Sequence, residues 1–499
     1  MHYKNWLLLL ICLILRLCCL ISRDSYYVPD EYWQSLEVAH RLIFGYGYLT
    51  WEWIEGVRSY VYVGWIALLY QFLKFYGLDS AQNLIWLPVI IQAVFSAIAD
   101  TYFISWAYKI SHKRQAYWSV WCYMTNVFLA YCSTRTLTNT IETNLTCIAL
   151  YYYPWLRREV GNVKYLWFIG LACIIRPTAA LMWAPLCFYA IRESSSPIKL
   201  VIFKYIPIGL IILSFSTLVD SYFYGKWVLT WWNFFQLNIV HNISAFYSVQ
   251  SVGWYLMLGL PVVLGHVVVP FYFAMGFLIQ DRSPNDGFFH KMVYSVTCAL
   301  IAYSTIPHKE FRFVLPLCPL MIQIASYGIH RFTCDMKKIY GYLISLTILL
   351  VNLQVFYYLS QYHQVATVKV MDYLRSPSNN LLFLMPCHQT PLYSHLHMNI
   401  TTRFLHCDPD FTNNPRYTEE SVQFYRNPLL WLQKEYPDEH STENPTHIVC
   451  FDVLVPVIKK FLDSRRYQEM VKLYHGTLVP PKIGNYLMVF QRTETDVIT

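Results

Sequence analysis

The sequence predicts a polytopic α-helical membrane protein that carries a small α/β domain at its C-terminal end. Three observations carry that prediction. Charged residues make up 14% of the 499 residues against 56% hydrophobic ones, where a soluble domain holds about a quarter charged, and the deficit is spread over many apolar runs. After the last of those runs, 338–359, prolines, histidines and charges return and no further spanning run follows. Directly after the first run, residues 28–58 gather Asp30, Glu31, Glu37, Glu52 and Glu55 beside aromatic residues, in a chain otherwise poor in acids. The division that follows is a membrane module over 1–362, with a reactive loop at 24–58, and an α/β domain over 363–499.

The net charge of +8 comes with no basic block. It fits short basic loops on the cytoplasmic side of a membrane and excludes nucleic-acid binding. The 14 cysteines form no CxxC pair, and Cys12, Cys18 and Cys19 read as core residues of an apolar run. Residues 5–22 read as a retained signal-anchor helix, because Arg16 interrupts the run and no small-residue cleavage site follows.

In the 28–58 stretch, Pro29 suits a helix entrance. Asp30, Gln34, Glu37 and Arg41 recur at three- and four-residue steps, with Tyr32, Leu36, Ala39 and Ile43 on another face. That pattern predicts a short amphipathic helix lying on the membrane surface. Asp30 and Glu31 diverge by about 100° on a helix, so one faces a substrate while the other binds elsewhere. The plain alternative makes Asp30 only a helix N-cap.

Basic loops set the orientation. Residues 112–114, 157–164, 192–199, 281–291 and 331–338 read as cytoplasmic. The turns at 135–139 and 176–178, the segment 220–252 and the turn 307–312 then lie on the opposite side, with 28–58. This parity requires 82–110 to be a hairpin turning near Asp100, and 165–191 to turn at Arg176-Pro177. Arms that short are tolerated around a wet or protein-buried cavity, here opening on the non-cytoplasmic face. About ten to thirteen helices are expected.

In the C-terminal domain, residues 381–385, 447–451 and 486–490 read as buried strands, and 456–462 and 467–474 as helices. By parity the domain lies on the side of the acidic loop. Of the sequons at Asn144, Asn242 and Asn399, Asn399 is the expected acceptor, while Asn144 falls inside a helix. Cys387, Cys407 and Cys450 sit where a disulfide is permitted, with the pairing left open.

The second motif is Pro307-His308-Lys309-Glu310-Phe311-Arg312-Phe313. One lysine there would read as an interfacial anchor. His308, Lys309, Glu310 and Arg312 packed between two apolar helices read better as a phosphate-binding cluster, which Arg135, Asn139, Glu142 and Arg176 extend. A carboxylate and a cationic cluster on one membrane face define a reaction. A sugar leaves a lipid phosphate stabilised by the cations, and a carboxylate takes the proton of the attacking hydroxyl. One base and no nucleophile means inversion. No HExxH, P-loop, dinucleotide or nucleophile-elbow motif competes. A lipid or solute transporter is the reading from a different class, and it lacks a detectable inverted repeat.

These stretches resemble a known family. VPDEYWQSLEVAHRLIFGYGYLTWEW with Arg58-Ser59-Tyr60, TRTLTNTIET at 134–143, IRPTA at 175–179, HKEFRF at 308–313, FLMPCHQTPLYSHLH at 383–397 and FYRNPLLWL at 424–432 are similar to the GPI mannosyltransferases that use dolichyl phosphate mannose, most closely those of type III. The HKEFRF-like motif is shared with the related mannosyltransferases that build the lipid-linked N-glycan precursor, the alternative within the family. The resemblance implies a GT-C fold in the endoplasmic reticulum membrane, with the active site and the 363–499 domain luminal. It implies transfer of the third mannose from dolichyl phosphate mannose to the second mannose of a GPI precursor glycolipid in α-1,2 linkage. It places the catalytic acid at Asp30-Glu31. The donor-phosphate and substrate-binding set is then His308, Lys309, Glu310, Arg312, Arg135, Arg176 and Arg58. No metal and no cofactor is expected, the lipid-linked mannose being a substrate. Two departures stand out: a family Gly-x-His-x-Trp pattern is replaced around Ser248 and Gln250, and His-Gln-Arg-Gly reads His363-Gln364-Val365-Ala366. They leave those loops without an assigned role.

Overall fold

The apolar runs form helices and the mixed C-terminal segment forms a sheet in a computed structural model that describes residues 3–21, 24–156, 161–280, 287–334, 336–376, 379–411, 414, 417–438, 441, 444–477, 480 and 482–493. Of the expected cytoplasmic loops, residues 157–160 and 281–286 lie outside the described residues. The chain divides into two compact units. The first comprises Met1–Ile21, Glu55–Trp65 and Pro88–Phe356; the second comprises Ser22–Ile54, Ile66–Leu87 and Tyr357–Thr499.

Among the described residues, five helices are long and apolar enough to cross a membrane: Ala81–Ile110, Pro197–Tyr224, Tyr255–Gln280, Phe311–Thr333 and Lys338–Tyr373. Shorter apolar helices, Trp6–Leu20, Lys164–Ile175 and Ala179–Arg192, join them. Phe311–Thr333 is the most enclosed of the five, and its Cys318–Thr333 part packs against Lys113–Thr125 and Val268–Gln280. Lys338–Gln361 and Pro197–Tyr224 leave large apolar side chains exposed, among them Leu343, Leu350, Leu210 and Leu218, as lipid-facing helices do.

Residues 82–110 do not turn near Asp100. Ala81–Ile110 is one continuous helix of 30 residues. Asp100 is buried and receives a two-pronged guanidinium from Arg16 at 2.7 and 2.8 Å, so it caps no turn. The same pair accounts for the charge that interrupts the first apolar run, since a buried ion is tolerated when bonded to its opposite. The helix that precedes Ala81–Ile110 is Tyr60–Phe75. That helix has 16 residues, short of the roughly 20 of a span. Its end folds back beside the segment preceding it, Lys74 Nζ donating to the Ile43 carbonyl at 2.8 Å. One full-length helix then brings the chain to 112–114. The second expected turn is present: Lys164–Ile175 and Ala179–Arg192 are separated by Arg176-Pro177-Thr178. Basic loops meet in pairs. Arg114 donates to the carbonyls of Thr333 and Cys334, and Lys291 pairs with Glu193 at 2.6 Å.

The second unit holds a five-stranded sheet: β1 (Asn380–Leu384), β2 (Thr401–Phe404), β3 (His447–Phe451), β4 (Tyr467–Tyr474) and β5 (Tyr486–Arg492), in the order β2-β1-β3-β5-β4. β1 runs parallel to β2 and β3, and β5 antiparallel to β3 and β4. The central strands are apolar on both faces, as buried parallel strands are. Leu382, Leu384, Ile448 and Phe490 pack with Phe424, Leu432, Ile458 and Phe461 of covering helices. Residues 467–474, expected to be helical, form β4. Arg466, at φ +57°, turns the chain out of the helix Val455–Ser464, and β4 closes the free edge of β5. Most of its side chains face solvent, so it carries little alternation that could mark it as a strand. Cys387 pairs with Cys407, with Cα atoms 6.1 Å apart, and Cys450 stays a buried thiol. Asn144 is buried in Thr138–Tyr152 with its amide on Ser96 Oγ at 3.1 Å, unsuited to carry a glycan. Asn399 is exposed just before β2. Asn399→Gln is expected to remove a glycan and increase gel mobility; unchanged mobility would remove the proposed modification.

Candidate active site

Pro29 begins the acidic segment's helix by lending its carbonyl to the N–H of Trp33 at 3.0 Å. Asp30 is the first helical residue and half-buried, and Glu31 beside it is fully buried. The next turn is widened: Tyr32–Leu36 is a π turn, closed by the Glu37 N–H on the Tyr32 carbonyl. Such single π turns are frequent at functional sites. The helix resumes over Glu37–Phe44 and stops at Gly45, whose φ of +84° costs a glycine little.

This is not a surface helix. Every residue from Glu31 to His40 is buried, because later parts of the chain cover it. Tyr26 donates through its hydroxyl to the His388 carbonyl at 2.5 Å, and Trp33 Nε1 donates to the Thr390 carbonyl at 3.0 Å. His40 Nε2 meets His397 Nδ1 at 3.0 Å. Glu37 is the strongest tie. Its Oε1 accepts from the Leu392 N–H at 2.7 Å, the Ser394 N–H at 3.1 Å and Ser394 Oγ at 2.5 Å. Burial holds this carboxyl above its usual pKa although those donors pull it down. Glu37→Ala would leave several buried donors unbonded, and a loss of about 3 kcal/mol is expected, read as a lowered thermal midpoint. An unchanged midpoint would show that the tie does not hold the loop.

The cationic motif lies in the first unit, on the turn between the helix Gly287–Thr305 and the 3-10 turn Phe311–Leu317. Glu310 organises it. Arg312 places a fork on this carboxylate, Nε to Oε2 and Nη2 to Oε1, both at 2.6 Å, and His308 Nε2 meets Oε1 at 2.9 Å. Burial alone would raise the Glu310 pKa; Arg312 and His308 outweigh it and hold the carboxyl well below the usual range. Lys309 is different. It is 4% exposed, and its ammonium donates to the carbonyls of Ile306 at 2.6 Å and Gln250 at 3.3 Å. Burial lowers its pKa.

The other sequence-predicted residues divide. Arg176 joins the cluster, over the Phe313 ring at 5.4 Å and 3.5 Å from Glu142. Asn139 reaches it through a 2.9 Å bond to the Arg312 carbonyl. Arg135 is fully buried and turned onto Tyr131, its guanidinium 4.0 Å from the ring centre. Arg58 stands before the helix Tyr60–Phe75, its carbonyl accepting from the Tyr224 hydroxyl. The two loops left without a role acquire one. Ser248 Oγ meets His308 Nδ1 at 2.8 Å, and the Gln250 N–H bonds the Pro307 carbonyl. In the second unit, the carbonyls of Ser360 and Gln364 receive the N–H groups of Asp24 and Tyr26. The motif stretch 383–397 was visible in the sequence, but nothing in it marked Ser394 as the partner of Glu37. Among the described residues no group of three His, Cys, Asp or Glu side chains is placed to hold a metal ion.

The fold is that of the GT-C glycosyltransferases. The fold matches ArnT from Cupriavidus metallidurans bound to undecaprenyl phosphate, with a TM-score of 0.60 and 9% identity over 99% of both chains. It also matches the Archaeoglobus fulgidus oligosaccharyltransferase, with a TM-score of 0.50 and 10% identity over 99% of this chain and 74% of that one. The chain belongs to the Alg9-like mannosyltransferase family, whose model matches residues 7–397. Similar relatives include the GPI alpha-1,2-mannosyltransferase 3 of Mus musculus, 39% identical over 98% of this chain and 89% of that one. The GPI mannosyltransferase 3 of Drosophila melanogaster is 38% identical over 97% and 86%. Family membership makes the protein a glycosyltransferase and removes the transporter reading.

Proposed function

We propose that the protein transfers mannose from dolichyl phosphate mannose to the second mannose of a GPI-anchor precursor, in α-1,2 linkage and with inversion, adding the third mannose at the luminal face of the endoplasmic reticulum membrane. The observation that carries this reading is the similarity to the type 3 GPI mannosyltransferases along 98% of the chain. The side chains supply the chemistry. Asp30, half-buried beside the fully buried Glu31, is the group of the pair open to a substrate and takes the proton of the attacking hydroxyl. Lys309, whose charge is met by carbonyl dipoles, neutralises the departing phosphate, with Arg312 and His308 held ready on Glu310. A single displacement inverts the sugar carbon. Arg58, Arg135 and Arg176 complete the proposed substrate-binding set, and no cofactor enters the reaction.

The test is transfer by the purified protein in lipid nanodiscs, given labelled dolichyl phosphate mannose and a dimannosyl GPI glycolipid. The expected product carries one more mannose, released by an α-1,2-specific mannosidase. Transfer only to N-glycan precursor lipids would replace this reading with its relative.

A further inference from the structure

Asp220 in the first unit has no part in the chemistry above. It lies near the end of the helix that stops at Tyr224 and is fully buried, yet its hydrogen-bond partners are all uncharged. Oδ1 accepts from Ser59 Oγ at 2.9 Å and from the Tyr60 N–H at 2.8 Å. Oδ2 accepts from Ser216 Oγ at 3.2 Å and from Thr230 Oγ1 at 2.8 Å. A buried carboxylate is tolerated where such donors replace its water. The plainest reading makes this acid a helix cap supplied from a distance. Tyr60 opens the helix Tyr60–Phe75, Ser59 Oγ accepts from the Val61 N–H at 3.2 Å, and negative charge is favourable at a helix entrance.

The contacts extend past a cap. The Tyr224 hydroxyl donates to the Arg58 carbonyl at 2.8 Å, and Asn233 Nδ2 donates to the carbonyls of Glu55 at 3.1 Å and Gly56 at 3.3 Å. Gly56 has φ +67°, and a Cβ there would come within 2.9 Å of Val228 Cγ2. Residues 220–233 thus grip 55–60 along its length, and a helix cap needs none of these carbonyl bonds. The same stretch of chain goes on to the cationic turn. Ser248 Oγ meets His308 Nδ1 at 2.8 Å, and the Gln250 carbonyl accepts from the Lys309 ammonium at 3.3 Å. One segment, 220–250, therefore holds both the backbone of Arg58 and the turn that carries Lys309, all within the first unit. The grip takes the Arg58 carbonyl and the two residues after it, so the direction in which the side chain leaves the backbone is set. A guanidinium presented in a fixed direction suits a phosphate, which it meets with a planar fork of donors.

We propose that Asp220 is a positioning residue: by fixing Ser59 and Tyr60 it sets Arg58 for the phosphate of the lipid-linked donor. This rests on the mannose-transfer reading, and the experiment separates the two. Wild-type protein in nanodiscs is assayed first with dolichyl phosphate mannose and the dimannosyl glycolipid; absence of transfer there overturns the function and this role with it. Given transfer, Arg58→Ala is expected to raise the donor KM about tenfold, the worth of one charge-assisted contact, with the acceptor KM unchanged. Asp220→Leu removes the acceptors at similar size and is expected to raise the donor KM as much. The double variant is expected to be no worse than Arg58→Ala alone, since both changes remove one contact. Asp220→Asn is expected to keep the wild-type donor KM, because one oxygen still serves Ser59 and Tyr60 while the hydroxyls of Ser216 and Thr230 accept from the amide. An acid that only supports the fold predicts otherwise: a lowered thermal midpoint with wild-type donor KM in the folded Leu variant, or effects of Asp220→Leu and Arg58→Ala that multiply. Either result overturns the proposal, as does a wild-type donor KM in Arg58→Ala or an Asn variant as impaired as the Leu variant. Should the Leu variant fail to fold, Ser59→Ala decides, since it releases the neighbour of Arg58 from the carboxylate. A donor KM that it raises in the wild-type background but not in Arg58→Ala supports the role. No rise, or the same rise in both backgrounds, overturns it.

Discussion

The Asp30→Asn protein is expected to fold normally and to transfer mannose about 10²–10⁴ times more slowly, the usual worth of a positioned general base. Folding survives because Asp30 stands half-buried in the first turn, where asparagine is as well accommodated as aspartate. Tyr26, Trp33, Glu37 and His40 tie the segment to the later part of the chain. Asp30→Glu should recover part of the rate. Glu31→Gln changes a fully buried group, so its expected effect is on stability. The informative comparison is turnover of normally expressed protein at saturating donor and acceptor. Wild-type turnover in Asp30→Asn with loss in a folded Glu31→Gln protein would move the base to Glu31, and wild-type turnover in both would take the pair out of the reaction.

Lys309→Ala is expected to lower kcat by about 10²–10³, the range for removing one preorganised donor to developing negative charge, with little change in acceptor KM. The carbonyls of Ile306 and Gln250 lose this donor, so the thermal midpoint is measured alongside kcat. Arg312→Ala should behave differently. It strips Glu310 of its fork and destabilises the turn, by less than the roughly 3–5 kcal/mol of a fully buried broken pair because Glu310 is 24% exposed. The pH dependence has a definite sign. The Glu310 carboxyl titrates below the usual range, so its stabilising charge is present above the ordinary carboxylate pKa and is lost only as pH falls through the lowered value. Protein assayed at pH 5 should therefore keep the cluster. Equal loss of kcat in Lys309→Ala and Lys309→Gln, with intact thermal midpoints, would support the role. Wild-type kcat in both would remove it.

The parts of this molecule legible in the sequence are those written in local pattern. The apolar runs, the strands β1, β3 and β5, the break at Arg176-Pro177 and the charge-dense turn at 308–312 each announce themselves within a dozen residues. What stayed hidden was decided by distant partners. Asp100 reads as a turn because nothing near it shows that Arg16, 84 residues earlier, neutralises it. The helix after Pro29 reads as a surface helix because its polar face is answered by residues more than 350 positions away. Ser248 stands where the family pattern breaks, so pattern alone discards it, and only the folded chain shows its hydroxyl on His308. The strand β4 has too little buried surface to carry a period of two.

The tie between Glu37 and Leu392 also sets a clock. The two residues are 355 positions apart, and at synthesis rates of 5–20 residues per second the second emerges roughly 20–70 seconds after the first. For that interval the segment bearing Asp30 has its helix but not its cover: the Glu37 carboxylate, the Trp33 indole and the His40 ring await partners that the ribosome has not yet made. Maturation of the acidic loop is thus among the last events of biogenesis, although the loop is among the first parts translated. A chain ending before residue 390 would contain the acid, the cationic turn and the helices long enough to cross the membrane, and would still present an unfinished site.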